Sequence, residues 1–153
     1  RVFPNAPRNL REMMQRAAQA ARVTAEEYDV SRPNLVGITV LTSDAKTDNL
    51  AQVVLDRARL AKQCGLDGVV ASSQEASMIR RELGPDFIIV TPGIRPSGAD
   101  VGDQKRVTTP KEAIANGSHY LVVGRPIVQA DDPAQAAQAI LVDMNESLKN
   151  KNF

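Results

Sequence analysis

Four short apolar runs, each followed by a stretch that reads as helix, constrain this chain more than any other feature. Leu35-Val36-Gly37-Ile38-Thr39-Val40-Leu41 is apolar almost throughout. Val69-Val70-Ala71, the run from Phe87 to Thr91, and Tyr120-Leu121-Val122-Val123 follow it. Continuous apolar runs of this length suit strands buried on both faces of a parallel sheet. The intervening segments carry helix signals. Leu50, Val53, Val54, Ala58 and Ala61 form one stripe between about Asp48 and Cys64, with Gly65 as the stop. Ser72 with Glu75 reads as a capping box that opens a helix stopping at Gly84. Thr109-Pro110-Lys111-Glu112 combines a cap, a proline at the first helical position and a glutamate at the third, and Asn116-Gly117 ends that helix. Asp132-Pro133 opens the last helix, with Ala136, Ala139, Ile140 and Met144 as its apolar positions. Ahead of the first strand, Asn9 caps a further helix with Glu12 in the box position, and Leu10, Met13, Met14, Ala17 and Ala21 mark its apolar face. The expected order is a helix, then strand and helix four times, which calls for a parallel sheet with right-handed crossovers.

The bulk numbers narrow the class. A chain of 153 residues has room for one domain, taken as 1–153. A net charge of +1 and five aromatic residues without tryptophan argue against a nucleic-acid partner. Cys64 is the only cysteine, so an internal disulfide and a cysteine-based zinc site are excluded. No apolar run approaches the roughly 20 residues that span a bilayer. A cytoplasmic setting is the expectation. The chain opens on Arg1 rather than methionine.

The chemistry concentrates at two strand ends. The run 87–90 stops at Thr91-Pro92-Gly93 and enters a glycine-punctuated loop holding Arg95, Gln104, Lys105 and Arg106. The run 120–123 stops at Gly124-Arg125-Pro126. In parallel strands both ends share one sheet edge, and backbone N–H groups with guanidinium groups there suit a phosphate. The alternation permits an open doubly wound sheet or part of a (βα)8 barrel. No G-x-G-x-x-G follows the first strand, and barrels place phosphate sites after their last two strands, so a barrel or half of one is favoured.

Each candidate has a bland reading beside the functional one. Arg125 could pair with a helix carboxylate, but its place after a strand and beside Gly124 favours phosphate. Arg95 could equally brace its own loop. Gln104, on chemistry alone, is a solvated loop residue. Thr42 ends a strand where a hydroxyl could meet substrate, but in isolation it is a cap or turn residue. His119 lies in a turn at the opposite sheet edge and reads as structural. Cys64 sits at a helix C-terminus, where the dipole disfavours a thiolate, and reads as packing. Asp67 and Asp103 are loop acids, Asp103 the better placed. No paired carboxylates, metal-ligand spacing or Ser/His/Asp arrangement stands out.

With these residues in hand, the chain resembles the bacterial orotidine 5′-phosphate decarboxylase family. The resemblance is carried by Gly37-Ile38-Thr39-Val40-Leu41-Thr42-Ser43, Cys64-Gly65-Leu66-Asp67-Gly68-Val69-Val70, Val90-Thr91-Pro92-Gly93-Ile94-Arg95-Pro96, Gly102-Asp103-Gln104-Lys105-Arg106-Val107 and Leu121-Val122-Val123-Gly124-Arg125-Pro126-Ile127. It covers about residues 34–145. It implies a (βα)8 TIM barrel of which this chain holds the last four βα units and the helix before them. It also implies a lyase that decarboxylates orotidine 5′-monophosphate to UMP in pyrimidine biosynthesis. No cofactor is implied, and the expected assembly is a homodimer. The implied substrate contacts are Thr42 near the pyrimidine and Arg95, Gln104, Gly124 and Arg125 on the phosphate side.

The chain departs from the family where the chemistry is done. The family's catalytic Asp-Lys-x-x-Asp motif at the end of the third strand, and a lysine from the strand before it, have no counterpart here. Arg1-Val2-Phe3 followed by Pro4-Asn5 looks like the flanks of that strand without its centre, and Asp44-Ala45 closes a loop that is longer in the family. The expectation is that residues are missing at these two joints, with a genuine deletion as the alternative. Two other functions stay open: a catalytically inactive phosphate-binding half-barrel, and another phosphosugar barrel such as a hexulose-phosphate synthase. The Asp103-Gln104-Lys105-Arg106 run argues against the last.

Overall fold

The computed structural model describes residues 8–40, 49–97 and 106–149. Ten elements follow one another: α1 (Arg8–Glu27), β1 (Val36–Ile38), α2 (Leu50–Gln63), β2 (Gly68–Val70), α3 (Ser73–Leu83), β3 (Ile88–Thr91), α4 (Pro110–Ala115), β4 (Tyr120–Leu121), α5 (Arg125–Val128) and α6 (Pro133–Lys149). The four strands form one sheet in the order β1-β2-β3-β4, and every neighbouring pair is parallel. Sequential order without reversal makes the sheet an arc with no switch point.

Register and burial show which face the helices cover. Gly37, Val69 and Ile89 lie side by side across three strands, as do Ile38, Val70, Val90 and Tyr120. Paired residues share a face, and successive residues alternate. The face of Val69 and Ile89 meets the helices: both join Val54, Ala58, Ala61, Ala76, Ile79, Leu83 and Phe87 in one core. The other face is open. Ile38 is 68% exposed, Tyr120 58% and Val122 52%. The helical layer runs α2 against α3, α3 against α4 and α4 against α6. A doubly wound sheet would carry helices on both faces. One covered face and one open apolar face is instead the section of a barrel wall, whose inner side is filled by strands from across the barrel.

This corrects the expectation for the first strand. Its apolar run does not lie buried on both faces: Val36 and Ile38 are exposed, because β1 is the sheet edge and its inner face lacks a second layer. Helix α1 shows the same incompleteness. Ala25 is buried and Ala21 half-buried, whereas Leu10, Met13, Met14 and Ala17 line a cavity of about 700 Å³ against β1 and α2. The expected apolar face is present in full but only part of it is covered. Asn9 is not its cap, since the helix already includes Arg8, and Glu12 pairs forward with Arg16 rather than back. No helix among the described residues is long and apolar enough to cross a membrane.

Most terminators work as their residue types predict. Gly65 and Gly117 take φ of 86° and 105°, which L side chains rarely adopt. Thr109 accepts from Glu112 N and the Glu112 carboxylate accepts from Thr109 N, a complete capping box with Pro110 at the helix start. Asp132 Oδ1 accepts from Gln135 N at 3.0 Å at the head of α6. The box expected at α3 is half made. Ser72 accepts from Gln74 N, but Glu75 turns away to Arg106. The helix α5 was not expected. It follows β4 so closely that Gly124-Arg125-Pro126 reads as a loop in sequence, yet Ile127 N and Val128 N both donate to Gly124 O.

The N-terminal edge of the sheet is held by polar clamps. Asp67 Oδ2 accepts from Leu35 N at 2.7 Å, and its other oxygen accepts from Arg32. Burial pushes the Asp67 carboxyl up, but these donors outweigh it and hold the group below its ordinary value. The backbone of Asp67 also bridges to Leu35 and Ile88, so one residue ties three strands. His119 Nδ1 accepts from Ile89 N at 3.0 Å, and Nε2 donates to Pro85 O at 3.1 Å. Both ring nitrogens serve the fold, in agreement with a structural role. Cys64 is buried, and desolvation raises its thiol.

Two outcomes follow. A methyl group at Gly68 would stand 2.2 Å from Ile88 O and 2.5 Å from Ile88 Cβ, so Gly68→Ala should cost at least about 1–3 kcal/mol in urea unfolding. Burial chiefly, with the Arg80 charge, holds His119 below its ordinary value against the raising effect of Pro85 O. The unfolded state therefore binds the proton first. Stability should be full above about pH 6.5 and fall as pH drops from there through the lowered folded value. His119→Gln should flatten that dependence in melts followed against pH.

Candidate functional site

Parallel pairing brings the C-terminal ends of all four strands to one edge. Thr39 and Val40 follow β1, Ala71 and Ser72 follow β2, Pro92 to Arg95 follow β3, and Val122 to Gly124 follow β4. Of the expected site residues, Arg95, Gly124 and Arg125 lie on this edge. Thr42 and Gln104 fall outside the described residues, as do Asp103 and Lys105.

The two arginines occupy equivalent stations. Thr91 pairs with Leu121 across β3 and β4, and Val122 N donates to Thr91 O at 2.9 Å. Arg95 and Arg125 each come four residues after that pair. Their surroundings differ. Arg95 is 9% exposed, and its Nη1 donates to Ile94 O at 2.8 Å. Its N–H donates to Thr108 O at 2.9 Å, beside the bridge between Ile94 and Thr108. The β3–α4 connection is thus closed at its base, with Arg95 on the outgoing limb. Arg125 opens α5 and is exposed. Pro126 has no N–H, and those of Ile127 and Val128 are spent on Gly124 O, so these α5 amides are not open to a ligand. A side chain at Gly124 would meet no described atom within 4 Å. Packing within the described protein does not demand a glycine there.

Arg106, one of the cations that the sequence puts on this loop, turns to α3. Its Nε and Nη2 donate to Gln74 Oε1 at 3.0 and 2.7 Å, and Nη2 pairs with Glu75. Sequence reasoning missed this pair, because Glu75 matched a local capping pattern and its partner lies 31 positions away. It also missed two buried hydroxyl contacts near strand ends: Thr91 Oγ1 with Ser118 Oγ at 2.6 Å, and Thr39 Oγ1 donating to Val70 O at 2.8 Å. Arg57 donates to the carbonyl of Thr39. Among the described residues, no three His, Cys, Asp or Glu side chains come together as a metal site.

Comparison with known proteins agrees with this architecture. Orotidine 5′-phosphate decarboxylase of Aliivibrio fischeri (strain MJ11) is 52% identical over 143 residues, covering 88% of this chain and 59% of that protein. The enzyme of that name from Hydrogenovibrio crunogenus is 49% identical over 147 residues, covering 90% and 58%. The crystal structure of orotidine 5′-phosphate decarboxylase from Lactobacillus acidophilus superposes with a TM-score of 0.70 at 35% identity, covering 87% of this chain and 58% of that one. The chain therefore spans about three fifths of the length of these relatives, and its four parallel strands are part of a (βα)8 barrel wall. The sequence model described as orotidine 5′-phosphate decarboxylase / HUMPS family matches residues 10–140, and the chain belongs to that family.

Proposed function

We propose that this chain is the phosphate-holding and part of the pyrimidine-holding portion of an orotidine 5′-monophosphate decarboxylase, a cytoplasmic, homodimeric enzyme that forms UMP. The observation that supports the reading is the pairing of β3 and β4, since Arg95 and Arg125 each follow four residues after the paired Thr91 and Leu121. Two guanidinium groups at one sheet edge match a phosphate dianion in charge and in hydrogen-bond geometry. Gly124, exposed beside Arg125, leaves room for a ligand to approach the backbone. Thr42 and Gln104 complete the proposed contacts, Thr42 nearer the pyrimidine.

In the reaction, the bond from the pyrimidine ring to the carboxylate breaks, CO2 leaves, and the electron pair left on the ring takes a proton. The lysine and aspartate that the family uses for this step are not among the 153 residues. The residues present act at a distance from that bond. Gripping the phosphate lowers the barrier when its binding energy is realised in ordering the site around the transition state. Arg95 suits this role because its own backbone is fixed before substrate arrives, so little of the binding energy goes into ordering it.

A second reading is a nucleotide-binding half-barrel without turnover. The two readings separate in one assay. The enzyme binds UMP and releases CO2 from orotidine 5′-monophosphate, whereas the half-barrel does only the first. Intact mass of the protein from its cells decides which molecule is assayed: about 16.5 kDa for the half-barrel, several kDa more for a full barrel.

Arg125→Ala should weaken UMP binding roughly 10- to 100-fold, the scale of one lost charge-assisted contact, and lower kcat/KM equally where turnover exists. Calorimetric titration checks the first. Near-native affinity would remove Arg125 from the phosphate site.

A further inference from the structure

Glu75 is a buried carboxylate that the proposed reaction does not use. It is 5% exposed and lies in the first turn of α3, an 11-residue helix that begins right after β2. Its Oε1 pairs with Arg106, while its Oε2 is buried without a hydrogen-bond partner among the described residues. Both side chains are desolvated, 12% exposed for Arg106 and 6% for Glu75. A buried carboxylate is tolerated only where a charge compensates it, so Arg106 cannot swing away without stranding Glu75. Gln74 holds the same guanidinium from a second side.

Arg106 in turn controls the chain that follows it. Two residues on, Thr108 O accepts the N–H of Arg95, and Thr108 N donates to Gly93 O at 3.4 Å. The outgoing limb Gly93–Arg95 and the returning limb Arg106–Thr108 are therefore zipped together, and the Arg106–Glu75 pair pins the returning limb to α3.

We propose that Glu75 is a positioning residue for the phosphate end of the site: it fixes Arg106, and through the returning limb it fixes the backbone from which Arg95 is presented. This rests on reading Arg95 as a phosphate contact. It assigns Arg106 to Glu75 rather than to the ligand, and the two assignments predict opposite signs. If Arg106 were itself an anion ligand, neutralising Glu75 would release it and tighten binding. If Glu75 positions, neutralising it loosens the base of the connection and weakens binding.

The experiment uses the full-length protein with UMP and uridine as probes. Glu75→Gln should weaken UMP about tenfold and leave uridine, which lacks the phosphate, unchanged. Arg106→Gln should do the same, and the double variant should be no weaker than either single one, as for two residues acting through one contact. Unchanged or tighter UMP binding by Glu75→Gln overturns the proposal, as does an equal loss for uridine. Hydrogen exchange supplies a readout that needs no ligand. The Arg95 amide should exchange faster in Glu75→Gln, while the amides of Ser118 and His119, bonded to Ala113 O and Ile89 O, keep their rates. An unchanged Arg95 amide overturns the proposal even where the wild-type protein binds no UMP, an outcome that would instead sink the phosphate reading itself. Should Glu75→Gln not fold, Arg106→Lys, which keeps the charge but loses the planar fork, is read at the same amides with the same two outcomes.

Discussion

Parallel hydrogen bonding between successive strands is the constraint from which the rest of the molecule follows. Because β1 to β4 run the same way and in sequence order, each crossover helix must return along the same face. The helices then form one layer, and the opposite face stays apolar and open. The same constraint gathers every strand's C-terminal end at one edge. A single backbone pattern thus decides where the core lies, where the sheet is incomplete and where a ligand can meet several chain segments at once.

The two edges of the sheet divide the labour. At the N-terminal edge, polar groups close on one another. Asp67 ties β1, β2 and β3 through both its carboxylate and its backbone. His119 fills both of its ring nitrogens on Ile89 N and Pro85 O. Gly68 lets β2 approach Ile88 at a distance no side chain permits. These residues hold the N-terminal edge together. At the C-terminal edge three arginines stand in three states: Arg95 buried and braced, Arg106 locked to an acid, Arg125 exposed at a helix start. An arginine already fixed by the fold loses little entropy when it meets a ligand, whereas one paired to a buried carboxylate serves the scaffold.

The open face and the partial coverage of α1 belong together. Ile38, Tyr120 and Val122 would meet side chains from the remaining strands of a complete barrel, and Leu10, Met13 and Ala17 face the cavity beside the edge strand. A contiguous apolar surface of this kind marks a contact face. The chain spans about three fifths of the length of its relatives.

Local signals in the sequence were enough to determine the order of every element but the short helix α5. The stops at Gly65 and Gly117, the box at Thr109 and Glu112 and the cap at Asp132 depend on residues within a few positions of each other, and each was legible from residue type alone. The apolar runs located the strands, and the glycine and arginine at two strand ends located the candidate phosphate edge. Tertiary structure alone decided what depends on distant partners. Whether Val36 and Ile38 are covered depends on a neighbouring strand, not on their own hydrophobicity. Glu75 obeys the capping pattern in sequence and breaks it in space, because Arg106, 31 residues on, offers a full charge where Ser72 offers only an amide. Arg95 and Arg106 read as equivalent loop cations until the fold buries one against its own backbone and pairs the other. Periodicity and turn chemistry are properties of neighbours in the chain, whereas burial and charge pairing are properties of neighbours in space.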